Sequence, residues 1–496
     1  MAAPFRIYNT RTRTVESFQP IEPGKIGIYV CGMTVYDRCH MGHARAMVVF
    51  DAFVRYLRMR GWNVKFIRNF TDVDDKIIAR ANELGEDPIA LSAKFIDAFH
   101  EDADALGLIR PDAEPKVSET IDDIQALIVS LIEKGNAYVN EGTVWFDVKS
   151  LPSYGQLSGQ KVDELQSPDT VPGKKHPADF ALWKAVKPDE PSWESPWGAG
   201  RPGWHIECSA MSMCCIGPKL DIHGGGLDLV FPHHENEVAQ SEALTNDTYA
   251  NYWMHNGMLT MANGQKMGKS LGNVWNVQNA LKEFPAEALR LYYLQALYRS
   301  PLPWGDDALT GALGSLCRLY EAREVAEAMG GQEDAAQVAR DLGDDAKWVL
   351  ELSEHFEANF LAALDEDFNT AKAMASVFEL VRAVNRFANH KKAKKRGGPV
   401  VAGALRALEL VSSSLGFLSM SVDDFQEEVK AKRCAAMGIS RADIEAKILA
   451  RTEARTNKDW AASDSLRDEL DNAGVVLMDG TEGTTWRIRI SDGDSA

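Results

Sequence analysis

Disulfide frameworks, membrane spans and export signals each leave marks that this 496-residue sequence does not carry. Its seven cysteines are odd in number and irregularly spaced, which excludes a disulfide scaffold and fits a reducing compartment. No long apolar run appears, and Met1-Ala2-Ala3-Pro4-Phe5-Arg6 has no hydrophobic signal core. A cytoplasmic protein with no membrane partner is therefore expected. Positive charge is also scarce: 54 Lys and Arg against 72 Asp and Glu leave a net charge of −18. Such a chain repels polyanions at long range, so non-specific nucleic-acid binding is disfavoured, while a structured RNA met by local basic patches stays possible. No G-x-x-x-x-G-K-[ST] phosphate loop and no internal repeat are found. What is present, 45% hydrophobic and 25% charged residues, is ordinary for a soluble globular protein. The length exceeds one core, and about three domains are expected.

The first region alternates strand and helix patterns. Lys25 to Cys31 is β-like after the Pro23-Gly24 turn, and Ala44 to Arg60 spaces Met47, Phe50, Val54 and Leu57 as a helix does. Gly61 stops that helix, and Val64-Lys65-Phe66-Ile67 reads as the next strand. This is a βαβ unit, the element of a parallel sheet. Helices are expected near 76–84, 88–106 and 120–134. Prolines and glycines then cluster from about 137 to 201, which reads as a loop-rich insertion between two halves of the sheet. The α/β pattern resumes at Leu220-Asp221-Ile222-His223-Gly224-Gly225-Gly226, a strand running into a glycine hinge, and a helix starts near His234. Beyond Pro285 the chain reads as helical to about 418, interrupted by Lys391–Pro399, a solvated basic loop. A small final module holds two helices (about 441–456 and 459–473) and two β-like pieces (475–478 and 484–488).

Two segments point to a nucleotide. His40 and His43 flank Met41-Gly42 where the first strand gives way to the first helix, a junction at which backbone N–H groups and the helix dipole converge on an anion. Two imidazoles there can donate to a phosphate, and Gly42 lets an adenine or ribose approach the backbone. Lys266 and Lys269 lie in a glycine-flanked loop where two ammonium groups can neutralise charge developing between phosphates. Cys31, Cys208, His233 and Glu237 are candidate metal ligands. His233 and Glu237 share a helix face by their spacing, and in parallel-sheet folds ligands gather at the carboxyl ends of strands. Two thiolates, an imidazole and a carboxylate suit tetrahedral zinc. His234 and Glu235 are rival ligands.

His40-Met41-Gly42-His43 resembles the HIGH signature of class I aminoacyl-tRNA synthetases, and Lys266-Met267-Gly268-Lys269-Ser270 resembles their KMSKS loop, with Gly268 in place of a serine. Segments 29–43, 69–76, 198–211, 221–237 and 266–273 are similar to the cysteinyl-tRNA synthetase family. A weaker match extends through Lys458–Ala462 and Gly483–Trp486. The resemblance implies an α/β fold: a class I Rossmann-like catalytic domain with a loop-rich insertion, then an α-helical bundle and a small mixed α/β C-terminal module. Boundaries are expected at 1–136 and 202–250 for the catalytic halves, 137–201 for the insertion and 251–310 for the KMSKS-loop region. The helical bundle is then 311–423 and the anticodon module 424–496.

It further implies zinc on Cys31, Cys208, His233 and Glu237, one ion per chain, and an amino-acid pocket lined by Thr71, Trp204 and His223. ATP with Mg²⁺ is expected at His40, Gly42, His43, Lys266 and Lys269, with the two histidines and two lysines catalytic. L-cysteine and tRNA(Cys) are the implied partners of a monomeric ligase. Arg455, Lys458, Trp460 and Arg467 are candidates for stacking on and clamping anticodon bases. Cysteine and serine differ by one atom, a distinction worth only about 1–3 kcal/mol to a pocket relying on shape. Zinc makes it chemical, since it takes a soft thiolate and not a hard hydroxyl. The insertion is small for a hydrolytic editing domain, in keeping with selection by metal. Two rival readings are a mycothiol-pathway ligase, which joins cysteine to an amino sugar and lacks the anticodon module, and a catalytically silent zinc-dependent RNA-binding protein.

Overall fold

The computed structural model describes residues 3–164, 172–188, 190–261, 275–480 and 483–490. Lys266 and Lys269 lie outside the described residues. The centre is a four-stranded parallel sheet of Lys25–Val30, Asn63–Arg68, Leu220–Gly226 and Ala250–Asn256. In space the order is Ala250–Asn256, Leu220–Gly226, Lys25–Val30, Asn63–Arg68. The chain thus leaves the first strand to one side, crosses back, and continues on the other. That reversal lies between Lys25–Val30 and Leu220–Gly226, where Tyr29 pairs with His223 and Val30 with Gly224. A crevice opens at the carboxyl ends of strands at such a switch point.

The helix Met41–Met59 buries Met47, Phe50, Val54 and Leu57, the face its spacing predicts. It packs against Ala286–Leu294 and Gly398–Leu415, so the sheet and the helical region share one apolar core. Arg290 pins this junction. It is buried, and donates to Asp51 Oδ2 at 2.5 Å and to the Leu415 carbonyl at 2.7 Å. The helical region is built on Asp306–Glu327, Asp344–Asp365, Thr370–Ala388 and Gly398–Leu415.

Three local readings change in the structure. The insertion, besides its loops, folds as a four-stranded antiparallel sheet of Ala137–Asn140, Thr143–Phe146, Phe180–Ala185 and Gly200–Pro202. Gly224 to Gly226 are no hinge but the end of a core strand. A Cβ would lie 2.3 Å from the Phe50 ring at Gly224 and 2.8 Å from the His234 ring at Gly225, so glycine makes room for neighbours there. The basic run 391–396 is partly helical, Ala393–Arg396 with Ala393 buried and Arg396 paired with Glu333 and Asp341, while Lys391, Lys392, Lys394 and Lys395 are exposed as expected of a solvated run.

The C-terminal module pairs helices Arg441–Thr456 and Trp460–Asn472 with antiparallel strands Val475–Gly480 and Gly483–Ile488. Its small core gathers Cys434, Ile444, Leu470, Val475, Trp486 and Ile488. Trp486 fills that core, whereas Trp460 is 59% exposed.

Candidate active site

A cavity of about 330 Å³ opens at the carboxyl ends of the parallel strands, with Cys31, Cys208 and His233 in one wall and His40, Gly42 and His43 in another. Cys31 follows the first strand directly, and its N–H donates to the Gly224 carbonyl at 3.1 Å. Gly32 comes next because nothing larger fits: an added Cβ would stand 1.6 Å from the Asn69 carbonyl oxygen. Cys208 sits in the first turn of Ile206–Cys215, and Glu237 in the first turn of Glu235–Thr245.

The four donor atoms of Cys31, Cys208, His233 and Glu237 lie within 4.8 Å of one another. The two sulfurs are 3.7 Å apart, Cys31 Sγ is 3.3 Å from Glu237 Oε1, and His233 Nε2 is 3.1 Å from the same oxygen. A tetrahedron with Zn–S of about 2.3 Å and Zn–N or Zn–O of about 2.0–2.1 Å has edges of about 3.8 Å (S to S), about 3.6 Å (S to O) and about 3.3 Å (N to O). The quartet therefore already stands close to the corners a zinc ion requires. Cys31, His223, His234 and Glu237 form an overlapping group, but His234 Nε2 is 4.0 Å from Glu237 Oε1. His234 is instead engaged at Nδ1 by His255 at 2.7 Å. Glu235 turns away, accepting from the Gly155 N–H at 2.8 Å and the Ser158 N–H at 2.7 Å. Glu235 is thus committed elsewhere, whereas His234 keeps its Nε2 without a hydrogen bond and differs from His233 by its longer distance to Glu237.

The four groups set one another's protonation. Burial pushes the Cys31 thiol well up, reinforced by its acceptors Cys208 and Glu237. Burial also raises Cys208, but hydrogen bonding from Cys31 and the His233 cation bring it down to about 6. Burial opposes the His233 cation, yet Cys208 and Glu237 raise it to about 10. Glu237 is fully buried and its carboxyl is held well below the usual range, burial being outweighed by His223 and His233. His233 Nδ1 lies 3.1 Å from Nδ1 of buried His205, the outer partner that orients a ligating imidazole. Neither that contact nor the Tyr249 hydroxyl 3.3 Å from Glu237 Oε2 had a signal in spacing.

Of the expected pocket residues, Thr71 and Trp204 line the cavity, and Trp204 lies against the His233 ring at 4.4 Å between centroids. His223 is placed differently. It is fully buried behind Glu237, with Nε2 2.8 Å from Oε2, and stacks on Trp253.

His40 and His43 form a reciprocal cap on Met41–Met59: His40 Nδ1 accepts from the His43 N–H at 3.2 Å, and His43 Nδ1 from the His40 N–H at 3.4 Å. With Nδ1 accepting, each neutral ring carries its proton on Nε2, the tautomer that donates. The rings stack at 3.6 Å. Gly42 is required by this cap, since a Cβ would meet His40 Cε1 at 2.9 Å. In the C-terminal module Arg455 is held by Asp479 at 2.9 Å, Lys458 has φ +61° at the turn before Trp460, and Arg467 is exposed.

Among the described residues no helix is long and apolar enough to cross a membrane. Residues 17–314 match the family of tRNA synthetases class I (C) catalytic domains, 359–419 the DALR domain and 441–487 the cysteinyl-tRNA ligase anticodon binding domain. The cysteine–tRNA ligase of Alkalilimnicola ehrlichii is 50% identical over 97% of this chain and 99% of its own length. That of Methylococcus capsulatus is 49% identical over the same shares. The crystal structure of Mycobacterium tuberculosis methionyl-tRNA synthetase bound by methionyl-adenylate superposes with a TM-score of 0.60 at 13% identity, covering 80% of this chain and 92% of that one, a likeness of fold alone. A match to the class I catalytic domain and near-complete alignment with such enzymes place the chain in one family: it belongs to the cysteine–tRNA ligases, class I aminoacyl-tRNA synthetases.

Proposed function

We propose that this chain attaches L-cysteine to tRNA(Cys) through a cysteinyl-adenylate, with cysteine chosen by a zinc ion on Cys31, Cys208, His233 and Glu237. The observation that carries this is a single cavity lined both by three members of the four-donor cluster, Cys31, Cys208 and His233, and by the paired imidazoles. When bound there, zinc supplies a soft Lewis acid that favours a thiolate over a hydroxyl. The remaining work belongs to the chain. Thr71 and Trp204 bound the amino acid, and Glu237 and His233 are held in place by His223 and His205. His40 and His43 face the nucleotide as Nε2–H donors, with Mg²⁺ accompanying ATP. Lys266 and Lys269 would neutralise charge on the phosphates. The cysteine carboxylate attacks the α-phosphorus and pyrophosphate leaves. The 2′-hydroxyl of the terminal adenosine then attacks the cysteinyl carbonyl, the mixed-anhydride bond breaks and AMP leaves. Positioning and charge stabilisation drive both steps, with no protein nucleophile. Trp460, with Arg455, Lys458 and Arg467, would engage the anticodon.

Cysteine-dependent ATP–pyrophosphate exchange, aminoacylation of purified tRNA with cysteine and with serine, and metal analysis test the reading together. The expected result is cysteine-specific charging by protein holding about one zinc per chain. Substantial Ser-tRNA product would refute selection at this site. Zinc-edge absorption with and without cysteine reads the selection directly, and unchanged sulfur scattering on cysteine addition would count against it.

A further inference from the structure

The two walls of the amino-acid pocket come from distant parts of the chain, and they are joined twice. One wall is the turn after Asn63–Arg68, which carries Thr71 and ends at Asp74, the cap of helix Asp75–Leu84. The other runs from the strand Gly200–Pro202 through Trp204 to Cys208. The inner tie is a hydrogen bond from Thr71 Oγ1 to Glu207 Oε1, 2.5 Å long and buried. The outer tie is ionic. Asp75 meets Arg201 through Oδ1 and Lys184 Nζ through Oδ2, the latter at 2.5 Å. Arg201 also takes both oxygens of Glu190, at 2.9 and 3.2 Å, and its side chain is only 2% exposed.

The chain between this cluster and the pocket is stiff. Gly203 has no room for a side chain, a Cβ standing 1.9 Å from the Ala181 carbonyl oxygen, and its N–H donates to the Leu182 carbonyl at 2.9 Å. Movement at Arg201 must therefore carry to Trp204, three residues on. Trp204, with Thr34 and Lys76, lines both the main cavity and a second one of about 290 Å³, to which Asp74, Asp75, Lys184 and His205 also contribute. On the opposite wall Asp72 is fixed by the Ser118 N–H at 3.0 Å and hydroxyl at 2.5 Å. Helix Met41–Met59 and its histidine cap stand apart from both ties.

We propose that Asp75, Lys184, Glu190 and Arg201 form a clasp that sets the spacing between Thr71 and Trp204, making Asp75 and Arg201 positioning residues for the amino acid and not for ATP. The clasp joins the parallel sheet's αβ unit to the antiparallel sheet of the insertion, so its charges fix how the insertion seats on the catalytic core. Planar guanidinium chemistry suits this corner, because one Arg must hold two carboxylates from different segments.

The proposal rests on the reading of the cavity as the site that activates cysteine. Its test is cysteine-dependent ATP–pyrophosphate exchange on the full-length zinc-loaded protein with Asp75→Asn, Arg201→Met and the double variant. Each single change is expected to raise KM for cysteine about 5–20-fold, with KM for ATP and kcat within about twofold. The double variant should fall short of the product of the two singles, because both remove the Asp75–Arg201 contact while each also loses a partner of its own, Lys184 or Glu190. Zinc content should stay at the wild-type level. Lys184→Met, at a more exposed position, should move the same parameter by less and stands in should Arg201→Met fail to fold. A fall in kcat at unchanged cysteine KM, parallel rises in both KM values, or effects that multiply in the double variant would overturn the clasp. Wild-type protein without cysteine-dependent exchange would overturn the site reading itself.

Discussion

Zinc binding at the quartet should release protons, and the direction in which each group's pKa is shifted leads to an expected number. In the zinc-free protein near neutral pH, Cys208 is a thiolate at about 6 and Glu237 a carboxylate held well below its usual range. Cys31 is a thiol pushed well up, and His233 an imidazolium at about 10. A ligand set must present two thiolates and a neutral imidazole. Two protons must therefore leave, one from Cys31 and one from His233. The metal-bound form holds fewer protons, so affinity rises with pH. At two protons the slope is about 2.7 kcal/mol per pH unit, a hundredfold in the binding constant. Below about 6, Cys208 also holds its proton and the slope steepens towards three. Above about 10, His233 has lost its own and the slope falls towards one. Calorimetric titration of the metal-free protein with zinc, in buffers of differing ionisation enthalpy, reads the number directly. Release of fewer than one proton by the wild type near neutral pH would refute the charge assignment, and with it the idea that Cys208 and His233 wait as an ion pair.

Three further outcomes follow from packing. Gly32→Ala places a methyl 1.6 Å from the Asn69 carbonyl oxygen; the backbone must move, and urea unfolding should show a loss of at least about 2 kcal/mol. Arg290→Met removes a buried partner of Asp51. Asp51 keeps Arg55 at 2.9 Å and the Ile109 N–H at 2.7 Å, so the cost should fall near the low end for a broken buried pair, about 3 kcal/mol by the same assay. Trp460→Ala should leave stability within about 0.5 kcal/mol, since the ring is 59% exposed. The same variant should lower kcat/KM for tRNA about 5–150-fold, the value of one stacked base, with pyrophosphate exchange untouched. Equal loss in both assays would refute a role confined to RNA.

What sequence could reveal divides along a physical line. Periodicity found the helix Met41–Met59 because its apolar face repeats locally, and it found the C-terminal hairpin for the same reason. The ligand candidates were visible as residue types, but choosing His233 and Glu237 over His234 and Glu235 needed the family likeness. The structure adds that Glu235 is committed to two backbone N–H groups, and that His233 stands 3.1 Å from Glu237 where His234 stands 4.0 Å away. The glycines of Leu220–Gly226 looked like a hinge because a missing Cβ says nothing about which ring will occupy the space. The antiparallel sheet at 137–202 was hidden by the turns that separate its short strands.

Arg201 and Asp75 are the extreme case. They stand 126 residues apart, each inside a charged and turn-rich stretch that reads as surface. Only three dimensions show one of them almost wholly buried. The chemistry of the centre is thus carried by residue type and legible early, whereas the distance between its walls is set by ion pairs whose partners no local pattern names. If the clasp acts as proposed, substrate affinity in this enzyme depends on a contact between the catalytic half and its insertion, and changes in the insertion should register first in KM for cysteine.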